Sequence, residues 1–73
     1  MSVKVAILEY MRNQNYGGVE EIAGGTLERY IGLTEGVKPS NVSRRCRELE
    51  NDGYVVRVEK SVGKKRFVAY KLK

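Results

Sequence analysis

From Ser40 to Arg47 the chain reads Ser-Asn-Val-Ser-Arg-Arg-Cys-Arg, a run of hydrogen-bonding and cationic side chains broken only by Val42 and Cys46. On a helix turning about 100° per residue, with Val42 at the centre of the buried side, Ser40, Arg44, Arg47 and Asn51 fall on the opposite side. Asn41 and Ser43 lie on its flanks. These residue types can read duplex DNA: Arg bonds bidentately to guanine O6 and N7, Asn to adenine N6 and N7, and Ser to base edges or phosphate. A helix with exposed arginines is by itself more often only a solvated helix, so the assignment needs support from elsewhere. A second cationic group, Lys60, Lys64, Lys65 and Arg66, surrounds the turn-forming stretch Ser61-Val62-Gly63-Lys64. Lysine-rich hairpin tips commonly serve solubility or edge protection. Beside a cationic helix, however, such a tip supplies the second point of a two-point duplex contact, on phosphates or in the minor groove.

Other chemistry is poorly served. The chain has no histidine and one cysteine, Cys46. The commonest nucleophile, general-base and metal-ligand arrangements therefore cannot be assembled, and neither catalysis, a metal nor a cofactor is expected. Cys46 reads as a small core residue. Tyr16, Tyr30, Tyr54, Phe67 and Tyr70 read as packing residues of the core or hairpin, because single-strand binders array aromatics on an open sheet. RNA binding is the weaker reading.

The elements that must position these groups follow from composition and periodicity. Seventy-three residues, 41% hydrophobic and 32% charged, make one domain spanning 1–73 with a single core. The formal charge of +5 is unevenly spread. Residues 1–37 hold three cations against five carboxylates, a net of −2, whereas residues 38–73 hold eleven against four, a net of +7. An anionic partner for the second half is implied. No apolar run exceeds the four residues of Val5 to Leu8, far too short for a membrane span, and no signal-peptide pattern opens the sequence. A cytoplasmic protein without a membrane partner is expected.

Val3, Ala6, Ile7, Tyr10 and Met11 follow helical spacing, predicting a first helix from Val3 to about Asn13 with Ser2 as N-cap. Val5 and Leu8 lie off the centre of that stripe, so they become candidates for a second contact such as a dimer interface. Val19 to Ala23, between glycine pairs, predicts a short strand. Thr26 can cap a second helix from Leu27 to about Gly32. Pro39 suits the first turn of a third helix, preceded by Lys38, with Val42, Cys46 and Leu49 as its apolar stripe and Gly53 as its left-handed terminator. After Gly53 the period becomes two: Tyr54 to Glu59 and Phe67 to Leu72 predict a β-hairpin.

In this order the chain resembles the winged helix-turn-helix DNA-binding domains, particularly small archaeal and archaeal-virus transcription regulators. The matching segments are GGTLERYIG, VKPSNVSRRCRELENDGYV and the hairpin ending in FVAYKL, together nearly the whole chain. The resemblance implies an α+β winged helix-turn-helix fold of three helices, a short strand and a C-terminal hairpin wing. It implies a recognition helix at about 39–52 in the major groove, with contacts from Ser40, Asn41, Ser43, Arg44 and Arg47. It also implies wing contacts, over about 60–66, from Lys64, Lys65 and Arg66. Two features depart from the family pattern: Lys38 replaces the usual Ser or Thr cap, where it could instead meet a phosphate, and the Leu33–Lys38 loop is longer than the tightest turn. Arg45, about 60° from the buried centre, is expected to pair with Glu48 or Glu50 or to reach the DNA backbone.

The expectation is a sequence-specific regulator that represses by occupying a promoter. A homodimer on an inverted repeat is expected, with no small-molecule effector. Two alternatives stay open: a winged helix that docks an acidic protein, and an architectural DNA binder without sequence preference.

Overall fold

The computed structural model describes residues 2–73. Its elements run α1 (Val3–Tyr16), β1 (Glu21–Ala23), α2 (Gly24–Glu35), α3 (Pro39–Asn51), β2 (Val55–Val62) and β3 (Lys65–Leu72). The result is an α+β fold of three helices and a three-stranded antiparallel sheet of order β1-β3-β2.

Ser2 caps α1 as expected, its Oγ accepting from the Val5 N–H at 3.2 Å. The helix runs three residues past Asn13, because nothing between Met11 and Gly17 breaks it although the apolar stripe has ended. The strand is shorter than expected: Val19 and Glu20 are exposed and lie outside the sheet, the Val19 N–H donating instead to the Gln14 carbonyl at 2.8 Å, and only Glu21–Ala23 bonds to β3. The start of α2 also differs. Thr26 is not its cap; Ala23, extended at φ −60° and ψ 140°, is, and the two glycines form the first turn without a side-chain cap. Gly24 is packed tightly there, since a Cβ would lie 3.3 Å from the Val68 carbonyl oxygen and 3.6 Å from the Tyr70 ring. Gly24 thus permits close approach of helix to sheet, while Gly25 faces open space. The helix continues to Glu35 and stops at left-handed Gly36, φ 67°, whose N–H returns to the Gly32 carbonyl.

The third helix has the expected bounds and buries Val42, Cys46 and Leu49. Asp52 caps it, and Gly53 follows at φ 84°, in the left-handed region. The hairpin strands are longer than their apolar alternation suggested. Only Gly63 and Lys64 form the turn, closing on Val62 opposite Lys65. Gly63 has φ 61° and no non-glycine residue among the described residues has positive φ, the pattern of a type II′ turn. Lys60, Lys65 and Arg66 therefore belong to strands and not to the turn.

Directly opposed residues share a face of an antiparallel sheet. Ile22 lies opposite Tyr70, and Val55 opposite Leu72, on the face that meets the helices. There they join Ile7 and Met11 of α1, Leu27 and Ile31 of α2, and the α3 stripe in one core. The outer face carries Ala23, Ala69, Val58 and Val56. Ala69 is nevertheless only 2% exposed. Lys60 of β2 and Glu21 of β1 flank it on that face and join at 2.6 Å.

Candidate nucleic-acid interface

The three buried residues of α3 orient everything else on the helix. With Val42 at 0%, Cys46 at 2% and Leu49 at 1% exposure, rotation about the helix axis is fixed, and Ser40, Arg44, Arg47 and Asn51 emerge as exposed residues. Asn41 and Ser43 are half-buried on the flanks. No buried side-chain nitrogen or oxygen lacks a hydrogen-bond partner among the described residues, so this polarity all faces outward.

The charges of α3 divide into engaged and free sets. Arg45 donates from Nη1 to both oxygens of Glu48, at 2.7 and 3.0 Å. Lys4 of α1 reaches Glu48 at 3.4 Å and Asp52 at 3.5 Å. The hydrogen bond from Arg45, reinforced by Lys4, holds the Glu48 carboxyl below its ordinary range. This cluster ties α3 to α1 and neutralises acid on one flank. Lys38, Arg44 and Arg47 make no ion pair or side-chain hydrogen bond among the described residues. The expected pairing of Arg45 with Glu48 is present.

At its N-terminal end α3 has no side-chain cap. Lys38 leads in with extended backbone, and its carbonyl accepts from Asn41 and Val42 at 3.0 and 3.3 Å. Gly36, Val37, Lys38, Ser40, Asn41 and Arg44 surround an open depression of about 370 Å³ there. Pro39 has no N–H and the Asn41 and Val42 N–H groups are taken by Lys38, so of the first turn only the Ser40 N–H is free; the partial positive charge of the helix start and the Lys38 and Arg44 side chains favour an anion at this end.

The hairpin sorts its four cations by geometry. Lys64 occupies the turn, and Lys65 and Arg66 are exposed without an ion pair among the described residues. Arg66, opposite Ser61, projects on the same side of the sheet as Tyr70 and the helices, whereas Lys65 projects on the outer side. Lys60 differs from expectation, being half-buried against Glu21 rather than standing free. The signal lay in pairing of β1 with β3, which brings Glu21 within reach of β2 and which local sequence does not specify.

Of the two residues expected at a dimer contact, Val5 is 44% exposed. Leu8 instead packs against the core. Cys46 is buried, and desolvation, with a smaller effect of the Glu28 charge, pushes its thiol up to about 12. It stays protonated and unreactive at neutral pH. No group of His, Cys, Asp or Glu able to hold a metal occurs among the described residues, and no helix is long and apolar enough to cross a membrane. Two residues that sequence reasoning passed over acquire roles: Lys4 braces α3, and Arg57 pairs with Glu59 at 2.8 Å on the outermost strand.

Compared with known proteins, the chain matches no family model, no curated protein and no solved structure. Function is therefore read from geometry and charge.

Proposed function

We propose that this chain is a winged helix-turn-helix protein that binds double-stranded DNA and regulates transcription by occupying a promoter, as a homodimer on an inverted repeat. In this reading α2 and α3 form the helix-turn-helix, α3 enters the major groove, and the β2–β3 hairpin is the wing. One observation carries it. On a helix whose remaining arginine is locked to Glu48, the free cations Lys38, Arg44 and Arg47 lie with Ser40 and Asn41 on surface left open to solvent.

Each group then has a distinct task. Arg44 and Arg47 are suited to guanine edges, and Asn41 to an adenine edge or, like Ser43, to phosphate at the rim of the groove. Lys38, Ser40 and the start of α3 suit a phosphate, fixing how deeply the helix enters. Lys64, Lys65 and Arg66 add contacts to the neighbouring backbone. Lys60 is excluded from that list by its pairing with Glu21.

Selection of bound duplexes from a random-sequence pool at moderate salt tests the reading. Enrichment of an inverted repeat is expected. Retention of the whole pool without enrichment would indicate an architectural binder, and no retention would indicate that the cationic surface docks a protein.

A further inference from the structure

We propose that the free edge of β2 is the docking site for a second copy of this chain, the two β2 strands pairing antiparallel about a two-fold axis at Val58. This inference supplies an interface for the homodimer of the proposed reading but does not depend on DNA binding. The sheet order leaves β2 bonded to β3 along one edge and, among the described residues, to no strand along the other. The Lys73 N–H donates to the Tyr54 carbonyl at 3.2 Å, and the two-residue turn closes on Val62 opposite Lys65. Even-numbered residues of β2 therefore bond to β3, while Val55, Arg57, Glu59 and Ser61 direct their N–H and C=O groups to the open edge.

Open edges are usually blunted by proline, a bulge, charged side chains or a covering element, and here the charges themselves can pair. This one has no proline, and its register with β3 is unbroken from Val55 to Val62. Its central charges are of opposite sign, and their spacing selects one register. Pairing centred on Arg57 sets that residue against its own copy, and pairing centred on Glu59 does the same for the carboxylate. Pairing centred on Val58 sets Arg57 opposite the partner's Glu59 on both sides of the axis. It also places Val55 opposite the partner's Ser61, so all four outward residues are bonded, with about eight main-chain hydrogen bonds.

The side chains agree with this register. Arg57 and Glu59 already meet at 2.8 Å within one chain, so in the pair each carboxylate lies between two guanidinium groups. On the outer face Val58 would meet its own copy while Val56 lies opposite the partner's Lys60, and the Val58 pair sits beside Ala69 and Phe67 of the neighbouring strand. The product is a six-stranded sheet with both sets of helices on the same side, closed by an isologous contact.

The test uses the full chain and two charge variants, Arg57→Glu and Glu59→Arg, followed by sedimentation from about 10 μM to about 500 μM. The wild-type chain should approach twice 8.3 kDa. Each variant alone should remain monomeric, because it carries one sign of charge at both positions, and an equimolar mixture should form the dimer again. Neither variant holds the internal Arg57–Glu59 pair, so recovery on mixing reports pairing between chains. Register is read separately: Val58→Cys should cross-link under a mild oxidant, since directly opposed non-hydrogen-bonded residues have Cα atoms about 4.5 Å apart. Val62→Cys, placed opposite the partner's Tyr54, should not. A wild-type chain that stays monomeric throughout, or self-association that persists in both charge variants, would overturn the proposal.

Discussion

Lys60 and Lys64 stand four residues apart near the end of one hairpin, and in the proposed DNA reading they have opposite roles. Lys60 is held at 2.6 Å by Glu21, whereas Lys64, Lys65 and Arg66 have no ion-pair partner among the described residues. Counterions released from duplex DNA make the logarithm of affinity fall with the logarithm of salt concentration by about 0.9 per phosphate neutralised. If each of the three free cations meets one phosphate, replacing all three by glutamine lowers the slope by about 2.7. Between about 50 and 200 mM salt the wild-type chain then loses about 40-fold more affinity than the triple variant. Lys60→Gln should leave the slope nearly unchanged and cost about 0.2–1 kcal/mol of stability, the usual range for a solvent-accessible surface pair. Fluorescence anisotropy with a labelled duplex over a salt series, with thermal unfolding alongside, measures both quantities. A slope change for Lys60→Gln equal to that of Lys64→Gln would refute the assignment of free and engaged cations.

Arg44→Ala and Arg47→Ala should each remove about 1–3 kcal/mol of discrimination at one base pair of the selected duplex. Neither should change the unfolding temperature much, since both side chains are exposed and unpaired; uniform weakening on all duplexes would count against base reading. Cys46 should resist alkylation in the native state at neutral pH. Its folded pKa is raised from 9.0 to about 12, so its contribution to stability is full below pH 9 and declines as pH rises toward 12. Cys46→Ala should flatten that decline in alkaline unfolding curves. Glu48 has the opposite sign: its folded pKa is lowered from 4.5, so its contribution is present above the ordinary glutamate range and is lost as pH falls below it. Acid unfolding of Lys4→Gln/Arg45→Gln should show a weaker dependence on pH through that window than the wild-type chain.

The most legible part of the chain was α3. Pro39 at its start, Gly53 beyond its end and the Val42, Cys46, Leu49 spacing are local signals, and the structure keeps all three. The hairpin was legible for the same reason, although alternation could not say which face was inner. Val55 rather than Val56 and Val58 turns toward the helices, a choice made by packing against α3 and not by the strand itself. Gly24 and Gly25 misled because glycine pairs normally interrupt elements, whereas here a side chain at position 24 would crowd Val68 and Tyr70. Pairing of Lys60 with Glu21 and of Lys4 with Glu48 and Asp52 joins residues distant in the chain. Such contacts arise only once the elements have docked, and they decide which expected site cations are free.

The central claim is that α3 lies in the major groove of duplex DNA. Dimethyl sulfate protection on a selected duplex tests this most directly, since the reagent methylates guanine N7 in the major groove and adenine N3 in the minor groove. Protection of guanine N7 within each half-site is predicted, with at least one protected guanine exposed again in Arg44→Ala or Arg47→Ala. A bound complex in which every guanine N7 reacts as in free DNA would contradict it.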